Sequence, residues 1–417
     1  MSPTFYDILP NGIQIVHRYN PSSVAYIGIL VGAGTRHEEE NENGMAHYIE
    51  HTLFKGCRIG DRTLSARQII ERVEGVGGEI NAYTTKEETV FYAATPQPYI
   101  KRTLELIANL VFQPTFPKEE TDKELRVIFD EIESYNDSPS ELIYDDFESL
   151  LFAGHPLSQP ILGTRKTLRR INRSSRYPLK WMHRHYNTER IVIFSQGNIP
   201  FPRLKQTIEK VLSVIPLKHF TSSFTPTTPP QPTVKPSTIN FRKHTHQTHI
   251  MLGAQAYPLG DKRQLTTYLL NHILGGGNLS SRLNMSLREK RGLVYTVESQ
   301  FTPLSDCGYW SVYFATENQH KDECLTLCRL EMKRLRDKSL SSLQLKRILQ
   351  QLRGQMAIAA ENQENNVLTM GKQMLYFHTA PTWEETFAQL EQITPQEIQD
   401  VANELFDESR LCMLSYC

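Results

Sequence analysis

The sequence predicts an α+β protein made of two homologous domains, and three observations carry that prediction. At 417 residues the chain exceeds the size at which a single hydrophobic core stops growing, so two or more domains are expected. The second half also repeats the first. His47-Tyr-Ile-Glu-His-Thr-Leu-Phe-Lys-Gly56 aligns with Tyr268-Leu-Leu-Asn-His-Ile-Leu-Gly-Gly-Gly277 at an offset of 221, which also carries Phe91-Tyr-Ala-Ala-Thr95 onto Val312-Tyr-Phe-Ala-Thr316. At an offset of 220, Glu189-Arg-Ile-Val-Ile-Phe-Ser195 falls on Ser409-Arg-Leu-Cys-Met-Leu-Ser415. Finally, the stretch between Ile215 and Ser237 contains Thr-Pro-Thr-Thr-Pro-Pro-Gln-Pro-Thr-Val-Lys-Pro, which suits neither a helix nor a central strand and reads as a semi-rigid connection. The domains are therefore expected at 1–215 and 238–417, with 216–237 as a Pro/Thr-rich linker.

Each element has its own local reason. Residues 12–18 and 25–32 are β-branched and apolar with turn residues between them, and they predict paired strands. Gly34 to Asn43 is a polar loop, and a helix follows from Gly44. A second helix near Ser65–Glu74 ends at Gly75-Val76-Gly77-Gly78. Glu79-Ile-Asn-Ala-Tyr-Thr-Thr and Thr89-Val-Phe-Tyr-Ala-Ala-Thr carry the residues a sheet prefers, joined by a charged Lys86-Glu87-Glu88 turn. Residues 98–112 predict a helix. After Pro114 and Pro117, Lys118 to about Tyr135 predicts a longer amphipathic helix rich in acids, with Pro117 suited to its first turn. Residues 187–195 predict a strand and 200–214 a helix.

Charge is balanced, 46 basic against 46 acidic residues, with no long single-sign run. Nucleic-acid and membrane-surface partners therefore have no electrostatic support. The first residues lack a basic region followed by an apolar core, and nothing approaches a membrane span. Six cysteines without paired CxxC knuckles suit a reducing compartment, so a cytoplasmic location is expected.

The chemistry concentrates in Gly44-Met-Ala-His-Tyr-Ile-Glu-His-Thr-Leu-Phe-Lys-Gly56. On a helix, His47 and His51 share one face, and two imidazoles at that spacing can grip one metal ion. Glu50 lies on the same side, within reach of a water that such a metal activates, as a zinc hydrolase needs. The order His-x-x-Glu-His inverts the commoner His-Glu-x-x-His helix. A catalytic zinc takes three protein ligands and keeps one position open, so a further ligand must come from elsewhere. The acidic helix can supply it. Glu131 is the candidate, seven residues and two turns after Glu124 on the same face, so that one acid binds metal while the other orients a ligand. The pattern alone does not choose Glu131 over Glu124, Asp130 or Glu133. In the second copy His47 becomes Tyr268 and Glu50 becomes Asn271, with only His272 kept, so one copy has the metal-binding set and the other lacks it.

Other stretches carry less. His244 and His246 would share a strand face, but no acid or cysteine completes a set. Gly275-Gly276-Gly277-Asn278 lacks the Gly-Lys-Ser/Thr ending of a phosphate loop and reads as a helix end. Cys324 and Cys328 read as buried small hydrophobes.

With these motifs in order, the chain resembles the pitrilysin-like (M16) zinc metallopeptidases, in particular the short-chain group that includes the mitochondrial processing peptidase subunits and their bacterial relatives. The resemblance rests on Gly34-Thr-Arg-His-Glu38, Gly44-x-Ala-His-x-x-Glu-His, Phe54-Lys-Gly, Gly78-x-x-Asn-Ala82, Glu124 through Glu131-Ile132, and Leu162-Gly163-Thr164, and it spans nearly the whole chain. It implies two similar α+β domains, each a largely antiparallel sheet with helices packed on one side. It implies peptide-bond hydrolysis with Zn2+ held by His47, His51 and Glu131, Glu50 as general base, and Glu124 as the acid behind the ligands. In Leu287-Arg-Glu-Lys-Arg-Gly-Leu-Val-Tyr295 it makes Arg288 and Tyr295 the donors to a peptide carbonyl and its oxyanion. It gives the Asn81-Ala82 strand the task of pairing with an extended peptide substrate. Departures are small: Cys57 stands where threonine is usual, and Thr52 where a larger apolar residue is common. The resemblance further implies two chains facing one another, most simply a homodimer, with a heterodimer of related chains as the alternative. The competing function is a non-catalytic structural or regulatory subunit, since the family includes members that keep the fold and lose the chemistry.

Overall fold

The structure, a computed structural model, describes residues 3–217, 232, 234–243 and 245–417; His244 and most of the expected linker lie outside the described residues. The chain forms two compact units, each built on a mixed, mainly antiparallel sheet. The first sheet has the order β1-β2-β8-β3-β7-β6. Its strands are β1 (Thr4–Ile8), β2 (Gln14–Tyr19), β3 (Val24–Val31), β6 (Glu79–Thr84), β7 (Thr89–Pro96) and β8 (Ile191–Gly197), while β4 (Gly56–Ile59) and β5 (Arg62–Ser65) form a separate hairpin. The second sheet has the order β11-β12-β10-β13-β9. It comprises β9 (Thr238–Phe241), β10 (Thr248–Ala256), β11 (Val294–Pro303), β12 (Gly308–Thr316) and β13 (Cys412–Tyr416). Read from β6 and from β11, the two orders correspond strand for strand through five strands. The single parallel pair, β2 with β8 and β9 with β13, falls at the same place in both. The repeat in the sequence is thus a repeat of topology.

One expected pairing is corrected. The segments 12–18 and 25–32 are strands, β2 and β3, but they are not partners: β8 lies between them, parallel to β2 and antiparallel to β3. The reason lies in β8 itself. Ile191-Val-Ile-Phe194 is apolar without alternation and buried throughout, as a strand covered on both faces must be, and it takes a central position. The short 20–23 connection therefore does not make a hairpin.

The first half supplies helices α1 (Met45–Leu53), α2 (Ala66–Glu74), α3 (Ile100–Phe112), α4 (Lys118–Asn136), α5 (Pro139–Leu151), α6 (Arg165–Ile171), α7 (Arg176–His185) and α8 (Phe201–Leu212). The second half supplies α9 (Gln264–Gly275), α10 (Lys321–Asp337), α11 (Ser342–Ala359), α12 (Gln363–Phe377), α13 (Trp383–Leu390) and α14 (Pro395–Leu405). Among the described residues, no helix is long and apolar enough to cross a membrane. In the first unit the alternating side chains Ile15, Ile27, Ile29, Phe91, Ala93 and Ile193 face a helical layer that includes Ile49, Leu104, Ile107, Val111, Leu204 and Ile208.

The opposite face is also covered, by a helix from the other half of the sequence. Val16, Leu30, Val90, Val192 and Phe194 meet Val367, Met370 and Met374 of α12. The second sheet shows the reciprocal arrangement. Ile143, Phe147 and Leu151 of α5 pack with Met251, Tyr309, Tyr313 and Leu414, and the Tyr309 and Tyr416 hydroxyls donate to Glu148 and Asp146 at 2.7 and 2.6 Å. At the repeat offset of 221, α5 falls on residues 360–372, which overlap α12. Corresponding helices are therefore exchanged. The packing units are discontinuous where the expected domains, 1–215 and 238–417, were continuous. The first unit is Met1–Ile132, Gln159–Thr228 and Asn362–Pro381; the second is Glu133–Ser158, Pro229–Glu361 and Thr382–Cys417.

The charged turn between β6 and β7 is buried. Lys86, Glu87 and Glu88 are 7, 5 and 2 % exposed, which charged side chains tolerate only when paired. Arg36 Nη1 donates to Glu87 at 2.6 Å, Lys372 Nζ to Glu88 at 2.7 Å, and the Tyr376 hydroxyl to Glu88 at 2.6 Å. Lys86 Nζ donates to the Gln159 carbonyl at 2.7 Å.

Candidate active site

Helix α1 is fixed from both ends. Gly44 precedes it at φ +88°, in the left-handed region, and a Cβ there would lie 2.8 Å from Gly163 Cα, so the approach of the two chain segments requires glycine. Gly44 has no side chain to cap the helix, and Glu38 does that work from the preceding loop. Its carboxyl accepts from the Gly44 and Ala46 backbone N–H groups at 2.8 and 2.7 Å, satisfying donors that a helix start leaves open. Burial pushes the Glu38 carboxyl up to about 8, with the two backbone donors pulling against that rise. Met45, Tyr48, Ile49 and Leu53 bury the inner face of α1, which leaves His47, Glu50 and His51 together on the other side.

His47 Nε2 and His51 Nε2 lie 3.2 Å apart, and Glu131 Oε2 of α4 lies 3.3 Å from His51 Nε2 and 3.6 Å from His47 Nε2. Donors about 2.0–2.1 Å from a tetrahedral metal are separated from each other by about 3.3 Å, so the three atoms fit one ion. The surrounding charges fit as well. Burial alone drives His51 toward its neutral form, but the Glu124 and Glu131 carboxylates outweigh it and push the imidazole up to about 9. Hydrogen bonds from His47 and His51 hold the Glu131 carboxyl well below the usual carboxylate range. The site is thus arranged around a positive charge.

Glu124 accepts from His51 Nδ1 at 2.9 Å, and its other oxygen meets Lys55 Nζ at 2.6 Å. Burial works to raise its pKa, but His51 and Lys55 prevail and the carboxyl is lowered. The Nδ1 contact fixes the tautomer that leaves Nε2 free to coordinate. Glu124→Gln is expected to weaken metal retention about 10–100-fold without unfolding the protein, as read by competition with a chromophoric chelator; unchanged affinity would remove Glu124 from the site. Lys55 lies in the turn that follows α1, two residues past Leu53, and nothing in the sequence alone marks it as a partner of Glu124.

Glu50 is held by Thr84, whose hydroxyl donates to Glu50 Oε2 at 2.6 Å. Thr84 ends β6, which pairs with β7 on one side and forms the sheet edge on the other. Asn81 and Ala82 therefore sit on an edge strand beside α1, the kind of backbone that can accept an added strand. Thr84 also had no role in the sequence reading; it stands two residues beyond Ala82 on the strand the motif marks. In the second unit, Arg288 and Tyr295 come together, with the guanidinium 5.6 Å from the ring centroid and Tyr295 81 % exposed. The counterpart of α1 is α9, which carries Tyr268, Asn271 and His272 and ends at Gly275. Cys324 and Cys328 are buried. Among the described residues, His47, His51 and Glu131 form the one group of three or more such side chains that could hold a metal ion.

This arrangement has relatives. Residues 14–165 match the family described as insulinase (peptidase family M16), and residues 179–352 match the peptidase M16 inactive domain. A Bacillus subtilis protein named as an uncharacterized zinc protease is 31% identical over 400 residues, covering 95% of this chain and 94% of its own length. A Rickettsia bellii protein, also named as an uncharacterized zinc protease, is 32% identical over 403 residues, covering 96% and 94%. Among solved structures, a protease from Helicobacter pylori superposes with a TM-score of 0.86 at 19% identity, covering 100% of both chains. A Pseudomonas fluorescens structure described as a peptidase M16 inactive domain gives 0.88 at 20%, covering 99% of this chain and 97% of its own. The chain belongs to peptidase family M16.

Proposed function

We propose that this protein is a zinc-dependent endopeptidase acting on extended or unfolded peptides. The observation that carries the proposal is the convergence of His47, His51 and Glu131 donor atoms beside a Glu50 that Thr84 holds against an edge strand. Zinc, when bound by those three residues, would supply Lewis acidity toward a water and toward the scissile carbonyl. Glu50 takes the proton of the attacking water and delivers it to the leaving amine. The Asn81-Ala82 edge pairs with the substrate backbone, so affinity comes from main-chain hydrogen bonds and favours chains already extended. Incubating one protein in its native and denatured forms tests this preference; equal rates of digestion would refute it. A role as a non-catalytic subunit is disfavoured by the complete set of donors and base on α1 and α4.

Arg288 and Tyr295 are assigned the binding of the substrate carbonyl and the developing oxyanion. The exposure of Tyr295 and the resemblance described above support that assignment. Tyr295→Phe removes one hydroxyl and leaves metal and base untouched, so turnover is expected to fall by up to about a thousandfold at unchanged zinc content. We further infer a two-chain assembly, most simply a homodimer; light scattering under assay conditions that returned a fully active monomer would overturn it.

A further inference from the structure

The Thr84–Glu88 turn touches Glu50 and the loop that leads into α1. Thr84 hydrogen-bonds Glu50. The next two carbonyls, of Thr85 and Lys86, accept from the Thr35 and Arg36 backbone N–H groups at 3.3 and 2.8 Å. Gly34 packs so closely on this turn that a Cβ would lie 2.3 Å from Thr85 O. The same short loop ends in Glu38, whose carboxyl caps α1 two residues after Arg36. The turn itself is closed by Thr85, which bonds the Glu88 carbonyl through its N–H at 2.8 Å.

What anchors the turn comes from far along the chain. Lys372 and Tyr376, one turn apart on α12, both donate to Glu88, and the Tyr376 hydroxyl also lies 3.5 Å from Glu87. Glu87 in turn binds Arg36, with both side chains almost fully buried. Two branches therefore run from α12. One passes through Glu88 and Thr84 to Glu50; the other passes through Glu87, Arg36 and Glu38 to the first turn of α1, and so to His47. The Arg36–Glu87 pair is buried on both sides, and for such a pair desolvation offsets much of the attraction.

We propose that α12 positions the catalytic machinery: Lys372 and Tyr376 act through the Thr84–Glu88 turn to hold both the base and the metal-bearing helix. The second half of the sequence thereby contributes to the site a helix that carries no ligand. This inference rests on the reading of α1 as a metal-binding catalytic helix, and the test separates the two.

The double variant Lys372→Met/Tyr376→Phe leaves Glu88 buried without its α12 donors, and Met374→Ala on the same helix removes only apolar packing. Hydrogen exchange is followed in residues 44–53 of the metal-free proteins, well below their unfolding transitions. Faster exchange there in the double variant and not in Met374→Ala is expected. Unchanged exchange in the double variant, or an equal rise in both, would overturn the proposal. Tyr376→Phe alone serves if the double variant does not fold, with the same two outcomes in smaller amplitude. With zinc restored, kcat for a fluorogenic peptide should fall by up to about a hundredfold in the double variant while KM and zinc content hold, the signature of misplaced groups. If the parent protein hydrolyses no peptide, the endopeptidase reading fails, and the exchange comparison still decides the role of α12.

Discussion

Glu50→Gln should keep its zinc and lose about a hundredfold to ten-thousandfold in turnover, the usual cost of removing a positioned general base. The substitution preserves size and shape. The amide can still accept from the Thr84 hydroxyl that now lies 2.6 Å from Oε2, so the side chain should stay where it is. What changes is basicity, since an amide does not take a proton from the attacking water. His47, His51 and Glu131 are untouched and should bind zinc as before, which elemental analysis of the same preparation would verify. Loss of kcat with stoichiometric metal would place Glu50 in the proton transfer; full activity in this variant would end the proposed mechanism.

Glu131→Ala should remove the metal rather than the base. The two histidine nitrogens would remain 3.2 Å apart, but a catalytic zinc needs a third protein donor. The loss in affinity should exceed the roughly 10–100-fold expected for an outer partner such as Glu124. Activity should fall with occupancy and return in part at high zinc. The two variants thus fail in opposite ways, one loaded and inactive, the other empty. Retention of zinc at parental affinity in Glu131→Ala would mean that another acid of α4 supplies the ligand.

The candidate metal helix is legible because its signal is local. His47, Glu50 and His51 need only a helical backbone to meet, and a nine-residue helix delivers it. The acid that would complete the set is harder to read. Residues 118–136 carry acids on several sides, and periodicity allowed Glu124, Glu131 and their neighbours alike; the family motif made the choice, and the distances to Glu131 are consistent with it. The repeat is legible in three aligned segments, yet it is silent on the order of the strands within each sheet and on which sheet each helix covers. An apolar stripe on residues 363–377 shows that something must be covered and does not show what. The Lys86-Glu87-Glu88 segment read as a charged turn and no more for the same reason. Its partners Arg36, Lys372 and Tyr376 lie up to 289 positions away, and no local pattern announces them. The β2–β3 pairing failed because a short connection outweighed the needs of a strand much further along the chain.

The exchanged helices also set a timetable for synthesis. The last strand of the first sheet ends at Gly197, while the helix that covers its second face ends at Phe377. At roughly 5–20 residues per second, the ribosome needs about 10–40 s to cross that interval. Throughout it, Val16, Leu30, Val90, Val192 and Phe194 have no lid. Burying an aliphatic or aromatic side chain contributes about 1.5–3 kcal/mol, so five exposed at once approach the whole stability of an ordinary domain, about 5–15 kcal/mol. The amino-terminal half cannot mature as it emerges. The face formed by these five side chains gains its cover only after Phe377 has been made.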